Sequence, residues 1–308
     1  MKTWSLKEIL RKMADTIFLN RELISGFAPE RPEDGHKNTF GTALICAGSE
    51  FMTGAAVMAT GAALRSGAGL VKVFSEEKTL DAIRYNEPCA LLALRPDDTA
   101  SLLKKAKELC TASSVLLGSG IPEDFKDLEA LTGIFLENSE RIVLDAGAFP
   151  GKADRLGRFK ELLRNRKNPA VITPHIGEFA RLTGTSKDEV MKNPEGLALA
   201  FAKENNCVTV LKGATTFIAT PDGKLFANEN ANSGLAKGGS GDVLAGLIAG
   251  FLAQKMEPYK AALAAVYIHS AAGSLAACDL GKRTMLPTDL LVYLPEAYLE
   301  AGWEDFDE

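Results

Sequence analysis

Short apolar runs and longer stretches with helical spacing alternate along most of this chain. Thr42–Ala47, Leu70–Phe74, Ser114–Leu117, Arg141–Leu144, Ala170–Thr173 and Cys207–Leu211 read as buried strands, apolar runs too short for a helix. Between them, Ala55–Arg65, Leu102–Cys110, Phe125–Leu136, Gly177–Thr183 and Leu197–Asn205 carry apolar residues at helical spacing. Thr216–Ala219 and Lys224–Ala227 flank the turn Thr220-Pro-Asp-Gly223 and predict a hairpin. Three helices close the chain, over Val243–Gln254, Tyr259–Asp279 and Thr288–Glu300. At the start, Leu6, Ile9, Leu10, Met13 and Ile17 give Ser5–Asn20 the spacing of an amphipathic lead-in helix. Arg21–Thr39, with Pro29 and Pro32, reads as a polar approach along the surface. No element is assigned to residues 75–101 or 148–169.

Strand–helix alternation of this kind builds an α/β protein with a mostly parallel sheet and helices on both faces. Nothing in the composition breaks the middle of the chain. The organisation expected is a helical extension over 1–25, one domain over 26–300 and a frayed acidic tail over 301–308. Ligands of such sheets lie beyond the carboxyl ends of strands. Those ends carry Gly48, Gly118, Gly120, Asp145, the run Pro174-His175-Ile-Gly-Glu178, and Lys212-Gly213. The loop Gly48–Gly54 imitates a phosphate loop, but its spacing is one residue long and its lysine is missing, so that motif is rejected.

The stretch Asn232-Ser-Gly-Leu-Ala-Lys-Gly-Gly-Ser-Gly-Asp242 organises the rest. Its glycines open the helix that begins near Val243, and a helix N-terminus is an anion site. Asp242 falls in the first turn, where a carboxylate can act as a base or hold a metal. The dipole there predicts a lowered pKa, hence a weak base. Taken alone, the stretch is equally a glycine-rich turn with Asp242 as an N-cap. His175 alone reads more readily as a structural histidine than as a ligand. An anion site with a lysine, a carboxylate at a helix start and two further acids together point to nucleotide phosphates and a divalent cation.

Composition narrows the classes. The chain has 308 residues, 46% apolar and 24% charged, with a net charge of −5 and three histidines. No basic field attracts nucleic acid, and three histidines argue against a histidine-rich metal site. Cys46, Cys89, Cys110, Cys207 and Cys278 are scattered, which predicts buried thiols in a reducing compartment. The polar start Met1–Glu8 is no signal peptide, and no uninterrupted apolar run approaches the ~18 residues that span a bilayer. The expected location is the cytoplasm, with no membrane partner.

From about His36 to Leu294 the chain resembles the ribokinase-like superfamily, and within it the NAD(P)H-hydrate dehydratases. The segments that carry the resemblance are His36–Ser49, Thr53-Gly-Ala-Ala56, Ala63-Leu-Arg-Ser-Gly-Ala-Gly-Leu-Val71, Thr173-Pro-His-Ile-Gly-Glu-Phe179, Val210-Leu-Lys-Gly-Ala-Thr-Thr216 and Gly234–Asp242. The last is shared in outline with sugar and vitamin-precursor kinases; the others are more specific. The chain departs from the pattern at Gly147, where many members carry a second acid, and at Ile176, where proline is common.

The resemblance implies a ribokinase-like catalytic domain that uses ADP, in preference to ATP, and Mg²⁺ to return the S form of hydrated NADH or NADPH to the reduced cofactor. It implies Asp242 as the base, with Gly238, Gly239, Ser240 and Gly241 as the anion hole. Lys212, Gly213, Ala214, Thr215 and Thr216, with Gly241, line the nucleotide. Ala55, Gly120, His175 and Asp242 surround the hydrated nicotinamide, and Glu178 reaches the metal through water. A homo-oligomer is expected, working beside a separate NAD(P)H-hydrate epimerase. Two other readings stay open: a small-molecule kinase of the same fold acting on a sugar or vitamin-precursor alcohol, and a non-catalytic nucleotide-binding protein. The intact Asp242 and Lys212 argue against the last.

Overall fold

The computed structural model describes residues 16–304. One ten-stranded sheet holds β1 (Thr16–Phe18), β2 (Thr42–Cys46), β3 (Leu70–Ser75), β4 (Leu91–Leu94), β5 (Ser114–Leu117), β6 (Ile142–Leu144), β7 (Ala170–Ile172), β8 (Cys207–Leu211), β9 (Thr216–Ala219) and β10 (Leu225–Asn228). Their spatial order is β1-β10-β9-β8-β7-β6-β5-β2-β3-β4. Only β8–β9 and β9–β10 pair antiparallel. The chain runs from β2 outward through β3 to β4, then returns to the other side of β2 to lay down β5. A crevice therefore opens where the strand order reverses, beyond the ends of β2 and β5.

Twelve helices are described: α1 (Arg21–Ser25), α2 (Thr53–Arg65), α3 (Glu77–Asn86), α4 (Thr99–Leu109), α5 (Leu128–Asn138), α6 (Ala153–Arg164), α7 (Ile176–Thr183), α8 (Lys187–Lys192), α9 (Pro194–Asn205), α10 (Ser240–Ala253), α11 (Pro258–Leu280) and α12 (Asp289–Glu300). The strands alternate between two cores even though nearly every position is apolar. Ala43, Ile45, Leu116, Val143, Val171 and Val208 face α2, α10, α11 and α12. Leu44, Cys46, Leu117, Ile142, Leu144 and Ile172 face α4, α5, α6 and α9. This is the expected sheet with helices on both faces.

Four expectations change. Of the lead-in helix over Ser5–Asn20, the part before Thr16 lies outside the described residues. Thr16–Phe18 is strand β1, hydrogen-bonded parallel to β10, and Asn20 caps α1 by accepting from the Leu23 N–H at 2.8 Å. Within the expected tail, Trp303 donates from Nε1 to the Ile24 carbonyl at 2.8 Å and packs on Phe251 and Tyr298; residues 305–308 lie outside the described residues. The unassigned stretches hold α3, β4 and α6. β4 is an edge strand whose Leu91 and Leu94 are exposed, so it carries no alternation to read. Cys46, Cys110 and Cys207 are buried as expected, whereas Cys89 and Cys278 are exposed.

α10 is the helix that positions the site. It is buried on all sides from Val243 to Ala253, and by length and composition α11 beside it is apolar enough to cross a membrane while being mostly buried in the fold. α10 lies so close to α2 that a Cβ on Gly246 would sit 2.2 Å from the Ala59 carbonyl oxygen. Gly246→Ala is expected to destabilise the protein by about 1–3 kcal/mol, the clash outweighing the better helix propensity of alanine. Urea unfolding should show a lower midpoint; an unchanged midpoint would mean that the two helices separate freely.

Candidate active site

Four parallel strands end at one rim, and their last residues meet. Asp145, at the end of β6, is 2% exposed. Its Oδ1 accepts from Lys212 Nζ at 2.8 Å and from Thr173 Oγ1 at 2.7 Å, and its Oδ2 accepts from Ser119 Oγ at 3.2 Å. Lys212 follows β8 directly, and its N–H donates to the Pro174 carbonyl at 3.0 Å. Burial pulls the lysine pKa down, but the charges of Asp145, Glu178 and Asp242 outweigh it and hold the pKa above the usual value. The ammonium is therefore charged. Its nitrogen lies 3.1 Å from where a Cβ on Gly241 would be.

The glycine stretch turns into α10 at Gly239, whose φ of +114° is costly for any residue with a Cβ. Among the described residues, the N–H groups of Gly238, Gly239 and Gly241 make no hydrogen bond and are free for an anion. The Ser240 N–H instead donates to the Lys237 carbonyl at 3.3 Å, while its hydroxyl is buried without a partner. Three of the four expected anion-hole residues thus offer a backbone donor, and Ser240 offers a hydroxyl. Lys237 lies elsewhere in function: its ammonium donates to the carbonyls of Arg283 and Met285 and ties down the loop after α11.

Asp242 is the third residue of α10 and not its cap. The dipole-based expectation of a low pKa is reversed. Burial raises the pKa most, the charge of Asp145 adds to it, and the charge of Lys212 only partly offsets them, leaving it at about 6. A helix terminus contributes about 0.3–1 kcal/mol, less than burial of a carboxylate in this setting.

His175 and Glu178 form a capping box on α7. His175 Nδ1 accepts from the N–H groups of Gly177 at 2.9 Å and Glu178 at 3.2 Å, and Glu178 Oε2 accepts from the His175 N–H at 2.8 Å. Glu178 is 7% exposed, and burial raises its pKa against the pull of Lys212. Among the described residues no three acidic, histidine or cysteine groups converge on one point. With Asp145 paired to Lys212, Glu178 is a carboxylate that suits Mg²⁺ arriving with a nucleotide and keeping its waters, since that ion takes one or two carboxylates plus substrate phosphates.

A cavity of about 730 Å³ opens from the glycine stretch. His175, Lys212, Gly213, Ala214, Thr216, Ser240 and Gly241 line it, together with Asn228, Leu244, Val266 and His269. Thr215 does not. Ala55 and Gly120 lie away from this cavity and touch each other, a Cβ on Gly120 falling 2.7 Å from that of Ala55. Asp242, Glu178, Gly238 and Gly239 do not line the cavity either; Asp242 adjoins it through Gly241 and feels the charge of Lys212. The motifs did not single out Ser119 or His269. Burial pushes the His269 pKa down to about 4, and the neutral ring donates from Nε2 to the Ser240 carbonyl at 2.9 Å; one histidine in an apolar helix gives no sequence signal for this. The departure at Gly147 has a steric reason: a Cβ there would lie 2.0 Å from the Ile121 carbonyl oxygen.

A mostly parallel sheet with this strand order, and a glycine stretch opening a buried helix at its carboxyl rim, places the chain in the ribokinase-like class of folds. The chain belongs to the NAD(P)H-hydrate dehydratase family, whose sequence profile matches residues 43–296. It is 34% identical over 286 residues to the ADP-dependent (S)-NAD(P)H-hydrate dehydratase of Bacillus subtilis, covering 91% of this chain and 97% of that protein. It is 33% identical over 298 residues to the bifunctional NAD(P)H-hydrate repair enzyme of Moorella thermoacetica, covering 93% of this chain but 56% of that protein. The chain thus spans about half the length of this bifunctional relative. A crystal structure of the ADP/ATP-dependent NAD(P)H-hydrate dehydratase from Bacillus subtilis, co-crystallized with ATP/Mg²⁺, superposes with a TM-score of 0.83 at 33% identity, over 93% of this chain and 99% of that one.

The raised pKa of Asp242 has a stability consequence. A carboxyl whose folded pKa is about 6 against 3.8 for the free group favours the folded state when protonated. The resulting destabilisation is absent below about pH 4, grows from there to pH 6 and is complete above it, at roughly 3 kcal/mol as an upper figure. Asp242→Asn is therefore expected to melt higher than wild type at pH 7 and to lose that advantage at pH 4. Melting curves at the two pH values measure it; a variant less stable at pH 7 would refute the burial argument.

Proposed function

We propose that this chain is an ADP-dependent (S)-NAD(P)H-hydrate dehydratase, with Asp242 as its general base. The observation that carries the reading is that Asp242 stands in the first turn of α10, directly after the free N–H groups of Gly238, Gly239 and Gly241 and the Lys212 ammonium beside Gly241, with a pKa of about 6. Such a group is mostly ionised at pH 7 yet basic enough to take a proton.

In this reading the nucleotide occupies the cavity beside Lys212, Gly213, Ala214 and Thr216. The hydrated nicotinamide lies against Ala55, Gly120 and His175. The free N–H groups of Gly238, Gly239 and Gly241, with the Ser240 hydroxyl, take the charge that spreads over the transferring phosphoryl group. Asp242 accepts the proton of the ring hydroxyl while the hydroxyl oxygen bonds to the β-phosphorus of ADP, and the bond from that phosphorus to the bridging oxygen breaks to release AMP. The ring nitrogen lone pair then expels phosphate from the adjacent carbon, and loss of a proton from the next carbon restores the reduced ring. Glu178 would hold Mg²⁺ through water, and the ion would neutralise phosphate charge. A separate epimerase supplies the S form, and ADP serves better than ATP.

Incubation with hydrated NADH, ADP and Mg²⁺ is the test. Reduced-nicotinamide absorbance, AMP and inorganic phosphate should appear in equal amounts. A stable phosphorylated product, with no recovery of absorbance, would replace this reading with a small-molecule kinase. A higher kcat/KM with ATP would overturn the nucleotide preference. Asp242→Asn should lose ~10²–10⁴ in kcat, and a variant retaining more than about a tenth of wild-type turnover would remove Asp242 from the role of base.

A further inference from the structure

Asp145 has no part in the chemistry above, yet it is the most completely bonded acid at the rim. Its carboxylate is reached from three other strand ends: Ser119 after β5, Thr173 after β7 and Lys212 after β8. Its own backbone is fixed as well. The Asp145 N–H donates to the Leu117 carbonyl at 3.0 Å, and its carbonyl packs so tightly on Gly118 that a Cβ there would lie 1.8 Å from it. Backbone packing therefore fixes where this charge stands. A lysine side chain has four rotatable bonds and holds no fixed position unless a partner supplies one.

Resting on the functional reading above, we propose that Asp145 is a positioning residue that holds the Lys212 ammonium beside Gly241, so that a fixed charge meets the phosphoryl group. Lys212 also feels Asp242 and Glu178. Without Asp145, the ammonium is free to turn to Asp242 and pair with the very carboxylate that must take a proton. Asp145 prevents this by being the better partner: its carboxylate is oriented by two hydroxyl donors and sits 2.8 Å from Nζ. The steric block at Gly147 leaves Asp145 as the single acid of its loop, so no second carboxylate there can take over.

The test is a cycle of Asp145→Asn, Lys212→Gln and the double variant in the full chain. Asparagine keeps the shape and an acceptor but not the charge. In Asp145→Asn, ADP affinity by calorimetry should stay within about threefold, because loss of a negative neighbour and loss of a fixed lysine oppose each other. Its kcat should fall about 10- to 100-fold, the effect of misplacing a group that stabilises the transition state. Added to Lys212→Gln, the same change should cost less than about threefold further, because the two residues act as a unit. A kcat within twofold of wild type, losses that multiply in the double variant, or a raised Mg²⁺ requirement as the main effect would each overturn the proposal. A second measurement needs neither substrate nor a folded variant: the ¹⁵N signal of the Lys212 ammonium in the ligand-free wild type should persist at neutral pH, as for a held ion pair, and its absence would count against the proposal. Because that signal is read without turnover, failure of the dehydratase assay and failure of this inference are told apart.

Discussion

A helix that is apolar on every side has to be buried whole, and in this protein that constraint sets both fold and site. α10 has no polar face to offer to water from Val243 to Ala253. It is covered by α2, α11 and the sheet, and Gly246 allows the approach to α2. Burying the helix body delivers its first turn to the carboxyl rim of the strands. The free N–H groups of the glycine stretch arrive there with it, and so does Asp242. The row of free N–H donors at the rim is thus a by-product of how the core is closed.

The same burial decides the chemistry of Asp242. A helix start on a protein surface would have lowered its pKa. Here desolvation and the neighbouring Asp145 charge win, and the group is brought close to neutrality. Two acids a short way apart have been given different environments, and this separates their roles. Asp145 is saturated by Lys212, Thr173 and Ser119. Asp242 has weaker support and keeps proton affinity.

Much of this was legible in the chain because parallel strands are short apolar runs and their ends carry the chemistry. Asp145, His175, Glu178, Lys212 and the glycine stretch were all found as strand-end or helix-start residues. The pairings among them were not, because each depends on which strands become neighbours. β5, β6, β7 and β8 lie side by side, and only that order brings Ser119, Asp145, Thr173 and Lys212 into contact. The sign of the Asp242 shift is hidden in the sequence for a related reason. Local position reports the dipole, whereas burial depends on α2 and α11, which are distant in sequence. Ile17 fits a helical spacing, while the partner that makes Thr16–Phe18 a strand, β10, lies some two hundred residues further on.

The capping box on α7 shows how one residue serves two demands. His175 Nδ1 is committed to the N–H groups of Gly177 and Glu178, and that commitment fixes the ring. Glu178, held in turn by the His175 N–H, keeps its other oxygen toward the ring at 3.4 Å. The structural reading of His175 and its place in the cavity lining are therefore the same fact seen twice. A cap that orients its own side chain gives the cavity a preset wall without spending a separate element on it, because the helix start has already fixed the angle of the ring.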